Sequence, residues 1–476
     1  MSSILIKGGR IVTASDDYLG DVLVSGEKVS LIGRELTCPA DRVIDAAGQL
    51  VIPGGIDVHT HLSMTDDKAR TADTFASGSV AAAFGGTTTI IDFARQERGG
   101  ESPLVALDRR LAQAEGQCLI DYGFHMVITS VAGSYLADAA ALPERGVTSF
   151  KLYLAYPGEV MVDDATAFAA MQIASRCGAI VMLHAENGHV IAALTDELAH
   201  QGRLGPADQA LAHPHLTECE AVQRGIALAE ISGASLYICH LSSHIALEPI
   251  EDARMKALPV RAETCPQYLF LAREDYEGLG FDAVKYVCAP PIRERANQAY
   301  LWRGLVSDAI SVVSTDHCSY RLGDDIPELG LQKALGRDDF RKIPLGVPGI
   351  ENRMQLLYEG GVVAGRFDMS RFVELVATNP AKLFGLFPRK GTIEIGSDAD
   401  IVVWDPRHRG SIGANSHHMN VDYNVYEGTA LHGSPSIVIS RGDVIIEDGE
   451  AHGQLGRGKF LARGASSAAT HSPMEQ

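Results

Sequence analysis

Two histidines in one short segment are the first residues of this chain that could do chemistry. Residues 57–61 read Asp-Val-His-Thr-His, so His59 and His61 come shortly after an apolar run at residues 51–56. Residues two apart on an extended chain point the same way, and both imidazoles can therefore reach one cation. Imidazole binds zinc, nickel, copper and iron alike. The pair predicts a metal site near the end of a strand.

Other histidines carry no such prediction. His213 and His215 have the same spacing but lie in a proline-interrupted segment, which we interpret as a loop without a ligand role. His125 lies in the middle of an apolar run, which is typical of a hydrogen-bonded core histidine. His189 and His317 neighbour candidate ligands in the chain but can point elsewhere.

Four more short apolar runs stop at a possible ligand or at a lysine. The runs cover residues 147–150, 180–183, 235–239 and 310–315, and the residues that follow them are Lys151, His184, His240 and Asp316. One pattern thus recurs along the chain. It indicates that several strands end on groups that could share a site.

The spacing of the β-rich runs predicts the fold class. Eight runs occur, at residues 51–56, 88–93, 122–128, 147–150, 180–183, 235–239, 260–263 and 310–315. Helix-like stretches separate them, and Gly178 and Gly233 are expected to end those at residues 163–177 and 218–231, as glycines often do. Alternating strands and helices predict an α/β fold, a closed (β/α)8 TIM-like barrel. Its chemistry is expected at the C-terminal ends of the strands.

Lys151 is the unusual member of the candidate ligands. An amine with an ordinary pKa of about 10.4 is protonated and repels a cation. Reaction with carbon dioxide would convert Lys151 into an anionic carbamate that could bridge two cations. Taken alone, however, the residue favours a snorkelling or salt-bridged lysine.

Longer motifs around these residues resemble the dihydropyrimidinase and D-hydantoinase branch of the cyclic amidohydrolases. The resemblance runs almost from end to end of the chain. It is carried by His59-Thr-His, Ser149-Phe-Lys-Leu-Tyr-Leu-Ala-Tyr, His184-Ala-Glu-Asn-Gly, Ser314-Thr-Asp-His-Cys, Ala82-Ala-Phe-Gly-Gly-Thr-Thr, Glu263-Thr-Cys-Pro-Gln-Tyr, Pro290-Pro-Ile-Arg-Glu, Leu335-Gly-Arg-Asp-Asp-Phe, Lys382-Leu-Phe-Gly-Leu-Phe-Pro, Gly396-Ser-Asp-Ala-Asp and His417-His-Met-Asn-Val-Asp-Tyr.

The resemblance implies a binuclear metal centre. It makes Lys151 an N6-carboxylysine that bridges two zinc ions, with other divalent metals possible. Carried over by position, one ion has the ligands His59, His61, Lys151 and Asp316, and the other has Lys151, His184 and His240. A hydroxide bridging the two ions is expected to open the cyclic amide of dihydropyrimidines, such as dihydrouracil and dihydrothymine, or of 5-substituted hydantoins, giving N-carbamoyl amino acids.

Two residues acquire catalytic roles from the same resemblance. Asp316 would accept the hydroxide proton and pass it to the leaving nitrogen. Tyr156 would donate a hydrogen bond to the oxyanion of the tetrahedral intermediate and also contact the substrate.

Substrate recognition is where this chain departs from its relatives. Many relatives hold the ring through backbone groups near a Ser and an Asn, and Ala289 and Leu345 stand at those positions here. Backbone hydrogen bonds survive such changes, but Leu345 adds apolar bulk.

The loop after His61 is more charged than the apolar lids of hydantoinases that accept aromatic substituents. It contains Asp66, Asp67, Lys68 and Arg70. A solvated surface is the favoured interpretation. If one of these side chains points inward, we expect small or polar groups at C5 of the substrate to be preferred over phenyl.

Alternative functions remain within and outside this branch. Dihydroorotases carry an Arg two places after the second histidine of the pair, where this chain has Ser63. Allantoinases resemble residues 335–353 less closely. The non-catalytic collapsin response mediator proteins share the fold but have lost metal ligands, whereas this chain keeps all six. A mononuclear deaminase-like barrel is disfavoured because it would not use the carboxylated lysine.

The composition of the chain limits which partners it can bind and in which cellular compartment we expect it. The formal charge of −19, without a basic stripe, argues against nucleic-acid partners. No apolar stretch approaches about 18 residues, and no signal peptide is recognised, so no membrane association is expected. The eight cysteines include no Cys-x-x-Cys spacing, and buried reduced thiols in a cytoplasmic protein are predicted.

Composition also marks a second unit. Short strands and turns alternate in the first fifty residues, and the same sequence pattern recurs near residues 400 and 437. We predict a small β-sandwich from residues 1–52 and 391–450, the barrel at 53–390, and a C-terminal arm and tail at 451–476. In relatives such arms contact neighbouring subunits, so the resemblance implies a homotetramer.

Overall fold

A computed structural model describes residues 2–66, 68–97, 100–323 and 328–466. Its central feature is an eight-stranded parallel sheet whose strands lie side by side in chain order. We number these strands β1 to β8, with the ranges Gly55–Thr60, Thr87–Arg95, Asp121–Val127, Ser149–Tyr153, Ile180–His184, Ser235–Ile238, Val260–Thr264 and Val312–Val313. A parallel bridge between Thr60 and His317 joins the two ends of the sheet. The predicted barrel is confirmed.

Helices cover the outside of the barrel. The α-helices are Phe75–Phe84, Pro103–Ala114, Tyr135–Ala141, Asp164–Cys177, Gly188–His200, His215–Ser232, His244–Met255, Pro266–Phe270, Arg273–Tyr276, Gln298–Val306, Arg353–Leu357, Met369–Val373 and Asn379–Leu383. Two segments are π-helical: Tyr358–Val363 continues the helix Arg353–Leu357, and Glu374–Thr378 joins the helices Met369–Val373 and Asn379–Leu383. Short 3₁₀ turns occur at Leu142–Arg145, Pro206–Ala212, Gly280–Tyr286, Arg295–Asn297, Lys333–Gly336 and Phe340–Lys342. Gly178 and Gly233 end two helices with left-handed φ angles of 70° and 71°.

Burial explains why the strands are mostly apolar. Every residue of β1 and of β3 is buried, because a parallel sheet wrapped by helices meets apolar neighbours on both faces. Side chains that point into the barrel, among them Val58, Phe93 and Met182, form their own apolar cluster. The barrel interior is therefore a packed core below the C-terminal ends of the strands.

Some strand boundaries differ from the sequence prediction. The run at residues 51–56 divides at Gly54: Leu50–Pro53 belongs to another sheet, and β1 begins one residue later. A Cβ on Gly54 would lie 2.1 Å from Thr88 Oγ1, so the chain passes β2 closely at the break. Lys151 lies within β4 instead of after it, and β8 has only two residues. An apolar run indicates that its residues are buried, but it does not show which of them form hydrogen bonds with a neighbouring strand.

The two chain ends together build a separate mixed sheet of nine strands. Its strands are Ser3–Val12, Asp17–Ser25, Lys28–Gly33, Arg42–Asp45, Leu50–Pro53, Ile401–Asp405, Ser434–Ser440, Asp443–Glu447 and Glu450–Ala451. Leu50–Pro53 pairs antiparallel with Ile401–Asp405 and so links the N-terminal and C-terminal strands. A short ribbon of Gly410–Ser411 and Ala430–Leu431 stands apart from it. The predicted joining of the ends is confirmed, while the limits of the two domains stay a prediction.

A buried group of charges connects the sheet with the barrel. Lys390 Nζ lies 2.7 Å from Asp121 Oδ2 at the start of β3 and 2.6 Å from Asp400 Oδ2 beside the terminal sheet. Arg441 Nε donates to Asp121 Oδ1 at 2.9 Å. All four side chains are buried. The two units are thus held together by paired charges as well as by apolar contacts.

The C-terminal arm packs against the same end of the barrel. The backbone N–H of Leu461 donates to Tyr122 O at 2.7 Å, and Phe460 forms a parallel bridge with Tyr122. The arm therefore lies along β3. Residues 467–476 of the predicted tail lie outside the described residues.

Candidate metal centre

Three predicted ligands meet at the C-terminal end of the barrel. His59 and His61 project from β1 and from the residue after it, and Asp316 follows β8. Asp316 Oδ1 lies 3.2 Å from Nε2 of His59 and 3.2 Å from Nε2 of His61. The three ligand atoms all lie within 4.8 Å of one another. Two imidazole nitrogens and one carboxylate oxygen thus surround a single point.

Three further predicted ligands complete the ring of side chains. His184 ends β5, and its ring centroid lies 4.6 Å from that of His240, which follows β6. The His240 ring in turn lies 5.3 Å from the His59 ring. Lys151 Nζ, from β4, is 4.9 Å from the centre of the Tyr153 ring. The structure therefore brings the predicted ligands from β1, β4, β5, β6 and β8 into one cluster.

Two buried nitrogen atoms in this cluster have no conventional hydrogen-bond partner. Within the described part of the chain, Lys151 Nζ and His240 Nδ1 are both in this state, and the Cys239 thiol is a polar neighbour of the lysine. Unpaired buried polar groups are costly and call for an explanation. Imidazoles and a carboxylate form a donor set that suits a divalent metal ion. The residues fit a metal centre.

The protonation states of these groups also suit metal binding. Burial holds the pKa of His59 and of His240 well below the usual value for histidine. Burial likewise lowers the pKa of His184, although Glu186 opposes this shift. Burial raises the pKa of Asp316, but His59, His61 and Lys151 together lower it further, and the net shift is downward. The imidazoles therefore keep free lone pairs, and the carboxyl group is ionised.

A buried glutamate orients two of the candidate ligands. Glu263, in β7, bonds to His59 Nδ1, accepts from the Tyr237 hydroxyl at 2.8 Å and accepts from the backbone N–H of His240 at 3.1 Å. Burial raises the pKa of Glu263 to about 7. A partner on the outer ring nitrogen leaves the inner nitrogen facing the cation. The sequence analysis gave Glu263 no role, although it ends a predicted strand.

A second glutamate supports the other side of the centre. Glu186 Oε2 lies 2.9 Å from His184 Nε2, and Glu186 Oε1 lies 2.8 Å from His213 Nδ1. All three residues are buried. His213 follows the 3₁₀ turn Pro206–Ala212 and is not itself placed as a ligand, but it contacts a candidate ligand through Glu186. The only sequence signal was the His184-Ala-Glu motif.

The backbone at the site is held in an unusual conformation. Asp316, His240 and Tyr156 have φ angles of 51°, 35° and 65°, in the left-handed region that non-glycine residues rarely adopt. Next to Asp316, the Thr315 hydroxyl donates to Asp57 Oδ2 at 2.6 Å and its N–H to Asp57 Oδ1 at 3.1 Å. Such strain persists only where surrounding contacts fix it, and it clusters at functional sites.

Histidines without a predicted ligand role have other partners. His125 Nδ1 lies 2.6 Å from Ser149 Oγ and its Nε2 lies 2.9 Å from Val58 O, as expected of a core histidine. His317 accepts from the N–H of Gly349 at 3.0 Å through Nδ1, so its Nε2 donates to Asp73 at 3.1 Å. Neither ring is available to a cation.

A cavity of about 490 Å³ opens beside the cluster. Its lining includes His61, Tyr156, Leu345, Asp66 and Lys68. Loss of water around the Tyr156 phenol raises the pKa of this group well above its usual value, so the phenol is a hydrogen-bond donor at neutral pH. The Tyr156 ring centroid lies 5.2 Å from that of His184. The cavity therefore combines possible metal ligands with a donor.

The two positions that depart from the relatives differ in their surroundings. Leu345 is half-buried and faces the cavity, whereas Ala289 is buried and is not among the described residues that line it. Of the charged loop, Asp66 and Lys68 line the cavity and Arg70 is exposed elsewhere. Asp67 lies outside the described residues. The loop is therefore only partly a solvated surface.

Comparison with known proteins defines the family. Residues 50–445 match the model of the amidohydrolase family, and the chain belongs to this family. It is 44% identical over 467 residues to a D-hydantoinase of Streptomyces coelicolor, covering 97% of this chain and 98% of that protein. It is 39% identical over 463 residues to a D-phenylhydantoinase of Escherichia coli, again covering 97% and 98%. The solved dihydropyrimidinase of Brevibacillus agri superposes with a TM-score of 0.94 at 42% identity, over 98% of this chain and 99% of that one.

These similarities confirm the resemblance drawn from the motifs. Among the described residues, no helix combines the length and the apolar character needed to cross a lipid bilayer.

Proposed function

We propose that this enzyme hydrolyses the cyclic amide bond of dihydropyrimidines and 5-substituted hydantoins to N-carbamoyl amino acids. The observation that carries the proposal is the convergence of His59, His61 and Asp316 on one point next to a cavity that contains a protonated phenol. Relatives named D-hydantoinase and dihydropyrimidinase match over nearly the whole chain, which supports the same reaction class.

The proposed centre holds two zinc ions per chain, or other divalent metals. His59, His61 and Asp316 would hold one ion and His184 and His240 the other, with Lys151 carboxylated and shared by both. When bound, two such ions lower the pKa of a water molecule and polarise a carbonyl oxygen. Support comes from the buried Lys151 amine, which has no conventional hydrogen-bond partner among the described residues and which carboxylation and metal binding would satisfy.

Two residues of the chain manage protons and charge in this proposal. Asp316 is ionised and lies between the two histidines, so it can accept a proton from the attacking water and deliver it to the leaving nitrogen. Tyr156 keeps its proton and faces the cavity, where it can donate to the oxygen that gains negative charge.

The substrate ring is proposed to lie between the Leu345 wall and the candidate ligands. Backbone groups near Ala289 and Leu345 would bind its amide, because a side-chain change leaves those donors and acceptors in place. Asp66 and Lys68 line the outer part of the cavity, and charged walls disfavour phenyl groups. Small or polar substituents at C5 should therefore be accepted best, and comparable turnover of phenylhydantoin and dihydrouracil would contradict this.

We further propose a cytoplasmic homotetramer, following the relatives. Two alternative ring substrates are allantoin and dihydroorotate, although Ser63 supplies no cation for the dihydroorotate carboxylate. A non-catalytic scaffold is disfavoured because the chain retains all six ligand residues.

The proposal is tested by assaying ring opening with metal content determined on the same sample. The panel is dihydrouracil, hydantoin, D- and L-phenylhydantoin, allantoin and dihydroorotate. Activity on the first two with about two metals per chain supports the proposal. Higher activity on allantoin or dihydroorotate than on dihydrouracil and hydantoin would make that ring the proposed substrate instead. A folded protein that binds no metal would favour the non-catalytic scaffold.

A further inference from the structure

One fully buried lysine has no place in the chemistry proposed above. Lys333 begins the 3₁₀ turn Lys333–Gly336 and is 0% exposed. Its Nζ donates to the backbone oxygen of Val287 at 2.9 Å and to that of Pro344 at 3.0 Å. Among the residues that the structure describes, no carboxylate forms an ion pair with it. Its hydrogen bonds among the described residues thus go to carbonyl groups of two separate chain segments, and its Nζ also lies 5.7 Å from the centre of the Tyr320 ring.

These two segments meet beside the cavity, and of the two only the Pro344 segment contributes a described lining residue. Pro344 precedes Leu345, which lines the cavity, and Val287 lies two residues before Ala289. The N–H of Gly346 also donates to Val287 O, at 3.1 Å, so this oxygen receives two hydrogen bonds. Lys333 thus reinforces the contact that joins the two segments directly.

A second lysine donates to the neighbouring carbonyl of the same segment. Lys68, from the loop after β1, donates from Nζ to Ile343 O at 3.1 Å. Consecutive carbonyls, of Ile343 and Pro344, are therefore each held by an ammonium group. The segment that carries Leu345 lies outside regular strands and helices, so the two lysines add to the few backbone hydrogen bonds that hold it.

Burial of Lys333 is unfavourable and calls for a compensating role. Burial lowers its pKa to about 7, and the groups that face it are the Cys288 and Cys318 thiols and Lys68. A methionine would fill the same volume without the desolvation cost of an amine. What methionine cannot supply is the pair of hydrogen bonds to Val287 and Pro344.

We propose that Lys333 is a positioning residue, which ties the Val287 and Pro344 carbonyls together and thereby sets the distance between the substrate-binding backbone and the metal centre. This inference rests on the proposed function, in which these segments hold the ring. Lys333 touches neither substrate nor metal ligands. Its loss should therefore affect binding of the ring more than the chemical step.

The test compares Lys333→Met with Lys342→Met, which alters an exposed lysine of the same segment. In the metal-loaded enzyme, Lys333→Met should raise KM for dihydrouracil about tenfold, because displacement of binding groups by a fraction of an ångström weakens ring binding. The kcat at saturation and the metal content should stay close to wild type. Lys342→Met should leave KM unchanged.

A purely structural lysine would lower thermal stability without changing KM of the folded enzyme. Hydrogen exchange gives an independent measurement of the tether: peptides covering residues 343–347 should exchange faster in Lys333→Met and not in Lys342→Met. If Lys333→Met does not fold, Lys333→Gln, which keeps a donor on a shorter stem, is used for both measurements. Folded variants with unchanged KM and unchanged exchange would overturn the inference.

The two proposals can fail separately. A wild-type enzyme that opens none of the rings in the panel would refute the proposed function, and the exchange comparison would still decide whether Lys333 holds the segment. If the wild type is active but residues 343–347 exchange no faster in Lys333→Met than in Lys342→Met, only the role of Lys333 is refuted.

Discussion

Replacing Lys151 by methionine separates its role as a ligand from its role in packing. The buried amine lies 5.5 Å from the centre of the Phe93 ring and 4.9 Å from that of Tyr153, without a conventional hydrogen bond in the described structure. Leaving such a group unpaired costs about 1–3 kcal/mol. Methionine keeps contact with both rings and removes that cost. Metal-free Lys151→Met should therefore be more stable than metal-free wild type by about 1–3 kcal/mol.

With metal present the order should reverse. Because one carboxylated side chain serves both cations, the variant should lose both metals and its activity together. The wild type gains about 2.7 kcal/mol from a metal supplied at 100 times its Kd, and a variant that binds none gains nothing. The same substitution is thus expected to stabilise the apoprotein and to abolish the holoenzyme.

The assay is thermal unfolding of both proteins, with chelator and with zinc plus bicarbonate, combined with metal analysis and dihydrouracil turnover. Lys342→Met serves as the control for replacing a lysine as such and should behave like wild type throughout. Two metals per chain retained by Lys151→Met would refute the bridging role. An apoprotein less stable than metal-free wild type would refute the reasoning about the unpaired amine.

Four further outcomes are expected. Glu263→Gln should weaken metal retention about 10–100-fold, because the carboxylate orients His59; dialysis against graded chelator measures this, and unchanged retention would contradict it. Tyr156→Phe should lower kcat about 100–1000-fold at unchanged metal content, since an oxyanion donor is lost; steady-state kinetics with a decrease below about threefold would exclude that role. Lys390→Met should destabilise the protein by about 3–5 kcal/mol, because Asp121 stays buried with less compensation; urea unfolding against Lys342→Met tests it, and equal midpoints would show that the charges are not coupled. Burial lowers the pKa of Lys333 from 10.5 to about 7, so between these pH values the unfolded chain binds a proton that the folded chain lacks. The stability of the wild type relative to Lys333→Met should therefore rise from pH 7 to pH 10.5. Urea unfolding of both proteins across this pH range measures the difference, and a difference that does not change with pH would contradict the shift.

The barrel could be predicted from the sequence because each buried parallel strand is a nearly continuous apolar run. The limits of β1 could not, since the run at residues 51–56 continues through a change of sheet. Whether an apolar residue pairs with one sheet or with another depends on contacts far away in the chain. The same reason explains why β8 is shorter than its apolar run.

The candidate ligands could be found because each lies near the end of such a run or in a long motif. The groups that orient them could not. Glu263 contacts His59 across 204 residues, and His213 contacts Glu186 across 27. Neither spacing has a periodicity that a single sequence reveals. The inward direction of Lys68 likewise depends on Ile343, which is 275 residues away.

The pairing of Leu50–Pro53 with Ile401–Asp405 also constrains how the protein is made. During synthesis the N-terminal strands leave the ribosome long before their partner strand, which follows after almost the entire barrel. Until then Leu50–Pro53 exposes an unpaired apolar edge of the kind that promotes aggregation. Chains released before residue 405 should therefore be captured by chaperones or precipitate, even though every candidate metal ligand has already been translated.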